Sequence, residues 1–296
     1  MIPPYLKKGD CVAIVATARK VTLEGLGPAM ALLENWGLTV FIGTTIGKEN
    51  NQLAGTDQER ADDFQRALDN PQVKAIWCAK GGYGTVRIID LLNFSGFREN
   101  PKWIIGFSDV TVLHSCINNI NIPTLHSIMC MNVSGASAQA TETMRKALFG
   151  EKLHYSIPPH AFNKNGKAEG VIVGGNLSVL YSILGSPSAL DCEDKILFIE
   201  DLDEYLYHID RMLVNLKRNG CFNNIKGLIV GGMTQMHDND IPWGKDALEI
   251  VKEHVDEYNL PVCFNFPAGH ISDNHAVIFG KKATLKVTPN GTQIIF

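Results

Sequence analysis

The chain has 296 residues, 45% of them hydrophobic and 20% charged, with a formal net charge of −4. That balance suits a globular protein of one large or two medium domains, carries no basic stripe for nucleic acid, and holds no apolar stretch long enough to span a membrane. The seven cysteines are odd in number and scattered, several inside apolar runs such as Ile76-Trp77-Cys78; this predicts buried free thiols in a reducing compartment and not a disulfide framework or a zinc site.

Cys11–Ala16 is the first apolar run. Lys7-Lys8 ahead of it imitates a signal peptide, but the run is short, Asp10 interrupts the approach and Pro3-Pro4 precede it. A first core strand, and a cytoplasmic location, are the expectation. Leu23–Trp36 has helical periodicity and stops at Gly37; Leu38–Ile42 is apolar again. Thr56-Asp57-Gln58-Glu59 reads as a capping box opening a helix to about Asn70. Ala75–Ala79 is a strand, and Gly81-Gly82-Tyr83-Gly84 turns into a helix through Leu92. Trp103–Ile105 is a strand, followed by a turn at Ser108 and a helix to about Asn118, then a strand at Pro123–His126. This βαβα rhythm predicts a parallel sheet covered on both faces.

The segment 149–167, with Pro158-Pro159 and Asn163, loses periodicity and reads as a break. Residues 1–150 are expected to form an α/β domain, 151–167 a linker and 168–296 a second domain. In that second part, strands are read at Val171–Val173, Ile196–Ile199, Gly227–Val230 and Val262–Phe264. Helices are read after Gly174-Gly175-Asn176, at Ile209–Asn219 and at Gly244–Tyr258. Ala276–Phe296 reads as a β-hairpin turning at Pro289-Asn290-Gly291.

Ligands of parallel sheets sit beyond the carboxyl ends of the strands. Ser108, in Gly106-Phe107-Ser108-Asp109, falls at that edge. It reads as a helix cap or as a nucleophile held clear of its own backbone. A nucleophilic serine needs a base, a carboxylate to orient the base, and N–H donors for the oxyanion. Glu200 closes the run Leu197-Phe198-Ile199 and His270 follows another strand. His126, also at the ligand edge, is a second candidate base, and His275 lies close after His270. The Gly81–Gly84 turn lacks the dinucleotide fingerprint. It reads as half of an oxyanion hole with the Gly82 N–H as donor, or as a tight turn. His237-Asp238-Asn239-Asp240 has hard metal ligands without a strong spacing and reads as a surface loop. The order Ser108, Glu200, His270 is also that of α/β-hydrolases, but Val110 stands where their elbow needs glycine.

Taken together, Gly55-Thr56-Asp57-Gln58-Glu59-Arg60-Ala61, Ala79-Lys80-Gly81-Gly82-Tyr83-Gly84, Gly106-Phe107-Ser108-Asp109-Val110-Thr111, Gly174-Gly175-Asn176-Leu177, Glu200-Asp201, Asp210-Arg211-Met212-Leu213 and Gly269-His270 with Asn274 resemble the serine L,D-carboxypeptidase family. That family includes murein tetrapeptide carboxypeptidases and microcin C immunity peptidases.

The resemblance implies a flavodoxin- or Rossmann-like N-terminal parallel-sheet domain and a smaller β-rich C-terminal domain. It implies a Ser108–Glu200–His270 triad, oxyanion donors from the Gly82 and Asp109 backbones, no cofactor or metal, and a homodimer. The implied reaction is release of D-alanine from a murein tetrapeptide in cell-wall recycling. An amidase acting on peptidyl-nucleotides and a catalytically silent binding protein are the alternatives. Lys80, Tyr83 and Arg211 are the candidate substrate contacts. The chain departs from the family pattern at Lys80, where arginine is usual, at Ser127-Ile128, at His208 and at Ala16-Thr17-Ala18-Arg19. These departures bear on the substrate and not on the triad.

Overall fold

Short apolar, β-branched runs bounded by glycine, proline and asparagine make the strands of the first half. The computed structural model describes residues 1–296. Strands β1 (Cys11–Val15), β2 (Thr39–Ile42), β3 (Val73–Cys78), β4 (Trp103–Gly106) and β5 (Thr124–His126) run parallel in the order β5-β4-β3-β1-β2. Chain order reverses direction across β1 and β3, which opens a crevice at their carboxyl ends.

The helices of this half are α1 (Gly27–Asn35), α2 (Asp57–Asp69), α3 (Ser95–Glu99), α4 (Thr111–Asn119) and α5 (Ala138–Phe149). Leu26, Leu33, Met144 and Leu148 cover one face of the sheet, and Phe64, Phe97, Leu113 and Ile117 the other. The central strands β1, β3, β4 and β5 are thus buried on both sides, while the edge strand β2 stays partly exposed. The Thr56 capping box forms: its hydroxyl accepts from the Glu59 N–H at 3.2 Å, and Glu59 accepts from the Thr56 N–H at 2.8 Å.

The second half builds a sheet ordered β10-β9-β8-β7-β12-β13-β6. Its strands are β6 (His154–Ile157), β7 (Gly166–Asn176), β8 (Ile196–Leu202), β9 (Gly227–Thr234), β10 (Val262–Cys263), β12 (Lys282–Thr288) and β13 (Gly291–Ile295). Strands β7 to β10 are parallel; β12, β13 and β6 join antiparallel. Helices α6 (Leu177–Ser182), α7 (Leu206–Arg218) and α8 (Ala247–Val255) cover one face through Leu180, Leu213 and Ile250, joined by Phe222 from the turn after α7. The other face shares one apolar cluster with the first sheet, in which Trp77 and Leu125 join Phe198, Phe279 and Leu285.

Several expectations change. The helix expected after Gly84 is two separate 3-10 turns, Thr85–Arg87 and Ile89–Leu91, in a run of β-branched residues that resist an α-helix. Helix α5 was not foreseen; Ser137 caps it through the Ala140 N–H at 2.9 Å. The 151–167 stretch is not a bare linker. It contains β6, paired with β13, and the start of β7, which runs eleven residues and takes Gly174-Gly175 into the strand. The chain also crosses the expected division: β11 (Val277–Phe279) lies antiparallel on β5, as the sixth strand of the first sheet.

The reading of all seven cysteines as free thiols is corrected as well. Cys192 and Cys221 form a disulfide, with Cα atoms 5.5 Å apart, because β8 and α7 fold back on one another and bring their outer ends together. A spacing of 29 residues gives no local signal for that pairing. The other five cysteines are free.

Candidate active site

Strand β4 ends at Gly106, and the chain turns through Phe107 into a 3-10 turn, Ser108–Val110, that leads into α4. Ser108 takes φ +60°. Left-handed backbone costs an L-residue roughly 1–2 kcal/mol, so a serine held there marks a site with a purpose beyond folding. The helix it introduces is fixed to the other half of the molecule: the Thr111 hydroxyl accepts from the Asn176 N–H at 3.0 Å.

That other half supplies the partners. His270 Nε2 lies 3.0 Å from Ser108 Oγ. On the far side of the ring, Nδ1 lies 2.7 Å from Glu200 Oε2, which also accepts from the His270 N–H at 3.2 Å. Glu200 is completely buried at a point where β8 slips register against β9, and such bulges re-aim side chains beside active sites. Gly269, at φ +108°, leaves the room: a Cβ there would come within 2.6 Å of Glu200 Oε2.

An ionised Glu200 accepts only, so Nδ1 carries the hydrogen and Nε2 is free to accept the serine proton. Burial alone would lower the His270 pKa, but the charge and hydrogen bond of Glu200, with Asp201 beyond, outweigh it and the net direction is upward. The imidazolium formed by proton uptake is thereby stabilised.

The glycine turn closes over the serine from β3. A Cβ on Gly81 would lie 3.3 Å from Ser108 Cβ and 3.5 Å from the Asp109 nitrogen. Asp109 was expected to matter through its backbone; its side chain also works. It is buried, and its carboxylate accepts from the Thr85 N–H at 2.8 Å, tying the serine turn to the end of the glycine turn. Burial pushes its pKa up, against hydrogen bonds from Thr85 and Gly84 and the charge of Arg60.

Arg60, wholly buried, donates to the carbonyls of Thr17 at 2.5 Å and Gly84 at 2.9 Å and pairs with Asp57, which also holds Arg87. A chain of charge-assisted bonds therefore sets the glycine turn. In sequence Arg60 enters only as part of the Gly55–Ala61 motif, with nothing there to mark it as buried. The unusual signal was Arg87, Asp57 and Arg60 on neighbouring elements.

A cleft of about 570 Å³ opens in front of Ser108. Lys80 and Gly82 line it; Tyr83 and Arg211 do not. Tyr83 is exposed, and Arg211 sits on the outer surface of α7 with its guanidinium 5.1 Å from the Tyr207 ring centroid. Arg19, marked in sequence only as part of the departing Ala16–Arg19 turn and not as a substrate contact, does line the cleft.

Asp201, on the cleft wall, accepts from Asn176 Nδ2 and the Ser178 N–H, both at 2.8 Å. Burial, then the neighbouring Glu200 charge, raise its pKa to about 7. His126 is fully buried among Phe107, Phe198 and Phe279 without a hydrogen-bond partner, and is not the base. His275 packs against Tyr155. In the 237–240 loop, His237 pairs with Asp203 at 2.5 Å while Asp238 accepts from the Asn239 and Trp243 N–H groups. No group of three or more metal-ligating side chains is assembled, and no helix is long and apolar enough to cross a membrane.

Residues 12–127 match the LD-carboxypeptidase N-terminal domain and residues 169–285 the LD-carboxypeptidase C-terminal domain. A Bacillus subtilis protein described as a probable murein peptide carboxypeptidase is 37% identical, over 99% of this chain and 93% of its own length. The microcin C7 self-immunity protein MccF of Escherichia coli is 26% identical, over 90% of this chain and 87% of its own. The crystal structure of muramoyltetrapeptide carboxypeptidase from Oxalobacter formigenes superimposes with a TM-score of 0.88 at 26% identity, covering 96% of this chain and 98% of the other.

Proposed function

The chain belongs to the LD-carboxypeptidase family, and from that premise we propose that it is a serine peptidase releasing a C-terminal D-amino acid from an L,D-peptide bond, with murein tetrapeptide as substrate and D-alanine as product. The observation that carries the reading is the relay from Ser108 Oγ through His270 to Glu200 at the mouth of the cleft.

Ser108 Oγ attacks the scissile carbonyl carbon as its proton passes to His270 Nε2. Glu200 steadies the imidazolium. The N–H groups of Gly82 and Asp109 receive the oxyanion, and losing one such donor typically costs about a hundred- to thousandfold in rate. The C–N bond breaks, and the departing amine takes the proton from His270. Water then attacks the ester carbon, giving its proton to His270; the C–Oγ bond breaks as His270 returns that proton to Ser108 Oγ, which frees the serine and the shortened peptide. No step needs a cofactor.

Relatives with murein peptide names support this substrate. A peptidyl-nucleotide substrate would call for an open aromatic face to stack the base. The only rings lining the cleft, Phe107 and His270, pack on each other with centroids 4.7 Å apart. A homodimer completes the reading.

The test compares wild type with Ser108→Ala on a murein tetrapeptide by mass spectrometry. Tripeptide and D-alanine from wild type alone support it. Equal release by both proteins removes the serine mechanism, and no release by either removes the murein substrate.

A further inference from the structure

The cleft carries two kinds of charge. Its acids are all engaged: Asp203 pairs with His237 at 2.5 Å, Glu204 with His208 at 2.7 Å, and Asp201 is buried with both oxygens hydrogen-bonded. Its two cations, Arg19 and Lys80, take no carboxylate of the protein as partner, although Lys20 beside Arg19 is paired with Glu49 at 2.7 Å. The unsatisfied charge facing a ligand is therefore positive.

Arg19 is also placed with respect to the reacting atoms. Gly82 has φ +103°, and a Cβ on it would meet Arg19 Nε at 2.4 Å and Cδ at 2.6 Å. The arginine stem lies across the oxyanion turn, in space that any other residue at 82 would fill. The turn is anchored from below by Arg60, which bonds Gly84 and Thr17, and Thr17 lies two residues before Arg19. One buried cation thus fixes both the donor peptide and the base of the exposed one.

We propose that Arg19 receives the α-carboxylate of the departing C-terminal residue and so makes the site an exopeptidase. The proposal rests on the reaction given above. In a peptide, the terminal carboxylate carbon stands three bonds from the scissile carbonyl carbon, about 3–4 Å away by standard backbone dimensions. A substrate whose carbonyl oxygen lies on the Gly82 N–H therefore brings its carboxylate beside the group that lies over Gly82. A guanidinium offers a planar fork of donors matched to two carboxylate oxygens. An internal peptide bond or a C-terminal amide leaves that fork without its anion.

The test uses a murein tetrapeptide and the same peptide amidated at its C-terminus. Wild type should prefer the acid by roughly ten- to hundredfold in kcat/KM, the range of a charge-assisted contact. In Arg19→Gln that ratio should collapse toward one, with the loss falling on KM for the acid. This is the pattern of a lost binding contact and not of a disturbed fold. Arg19→Lys should restore part of the preference, and Lys80→Gln should keep it.

A full preference in Arg19→Gln, or its collapse in Lys80→Gln instead, overturns the assignment. Binding of N-acetyl-D-alanine to Ser108→Ala protein, followed by calorimetry, separates this proposal from the reaction itself. Arg19-dependent binding sustains the carboxylate site even if the tetrapeptide is not cleaved. Binding that ignores Arg19 removes the site even if it is.

Discussion

Glu200→Gln removes one charge and one acceptor while keeping the shape of the side chain. In the native site Oε2 accepts from both the His270 ring and the His270 N–H, at 2.7 and 3.2 Å, while Oε1 is buried without a partner. Glutamine satisfies this geometry in neither orientation. With its oxygen at the Oε2 position, the amide NH2 is left buried and unpaired, at about 1–3 kcal/mol. With its nitrogen there, it faces the His270 N–H donor to donor and drives the ring hydrogen onto Nε2, where the base can no longer accept from Ser108.

Loss of a charge-assisted bond alone amounts to about 1.5–3 kcal/mol, or ten- to hundredfold in rate. With the tautomer trap, kcat/KM on murein tetrapeptide should fall by roughly 10³–10⁴. The acid limb should move too. Burial lowers the His270 pKa, and the upward influence that outweighs it comes first from the charge and hydrogen bond of Glu200, with Asp201 adding less. Without the carboxylate burial prevails, so the pH below which activity is lost should drop in the variant even as its plateau collapses. A pH–rate profile on protein shown to be folded by circular dichroism reads both effects. More than a tenth of wild-type activity, or a limb displaced to higher pH, refutes the reasoning.

Ser108→Gly should unfold at higher denaturant than Ser108→Ala by about 1 kcal/mol, since only glycine is at ease at φ +60°; equal stability would mean the turn is unstrained. Asp109→Ala strands the buried Thr85 N–H, should cost about 1–3 kcal/mol in chemical denaturation, and should lower kcat by loosening the glycine turn. His114 donates from Nε2 to the Gly106 carbonyl at 2.9 Å and its other ring nitrogen lies 2.8 Å from the Thr124 hydroxyl; burial lowers its pKa to about 4. The unfolded chain then binds the extra proton first, so this group removes stability as pH falls from about 6.5 to 4, at about 1.4 kcal/mol per pH unit. Asp201, raised by burial, acts in the opposite direction, so the diagnostic quantity is a difference. The stability of His114→Gln should decline less steeply than wild type by that slope, and parallel curves would contradict it.

The parallel strands of the first sheet and the Thr56 cap were legible because each rests on a local pattern: an apolar run, a spaced pair of polar residues. Local pattern put Ser108, Glu200 and His270 at strand ends but left a helix cap and His126 as alternatives, and only the family resemblance grouped the three as a triad. What stayed hidden depends on distant chain. Nothing marks Arg60 as buried until its helix docks and leaves it among the carbonyls of Thr17 and Gly84. Cys192 and Cys221 show no kinship until β8 and α7 double back. Strand β6 has only two inward side chains, Tyr155 and Ile157, and takes its place from its pairing with β13. Arg19 stood out in sequence only as the end of the departing Ala16–Arg19 turn, and its position over Gly82 is what distinguishes it. Arg211 was singled out by charge, which says nothing about the direction in which a side chain points, and it faces away from the cleft that Lys80 lines.

The return of β11 to the edge of β5 bears on how the protein is born. About 150 residues separate these two strands, roughly eight to thirty seconds of synthesis at about 5–20 residues per second. For that interval the nascent first sheet stands on the ribosome with an open edge, the kind of surface on which chains pair wrongly. His270 is made only seven residues before β11, so the base and the edge cover emerge together. A half-made chain exposes a serine with nothing to activate it, and hydrolytic capacity arrives at the moment the vulnerable edge is sealed.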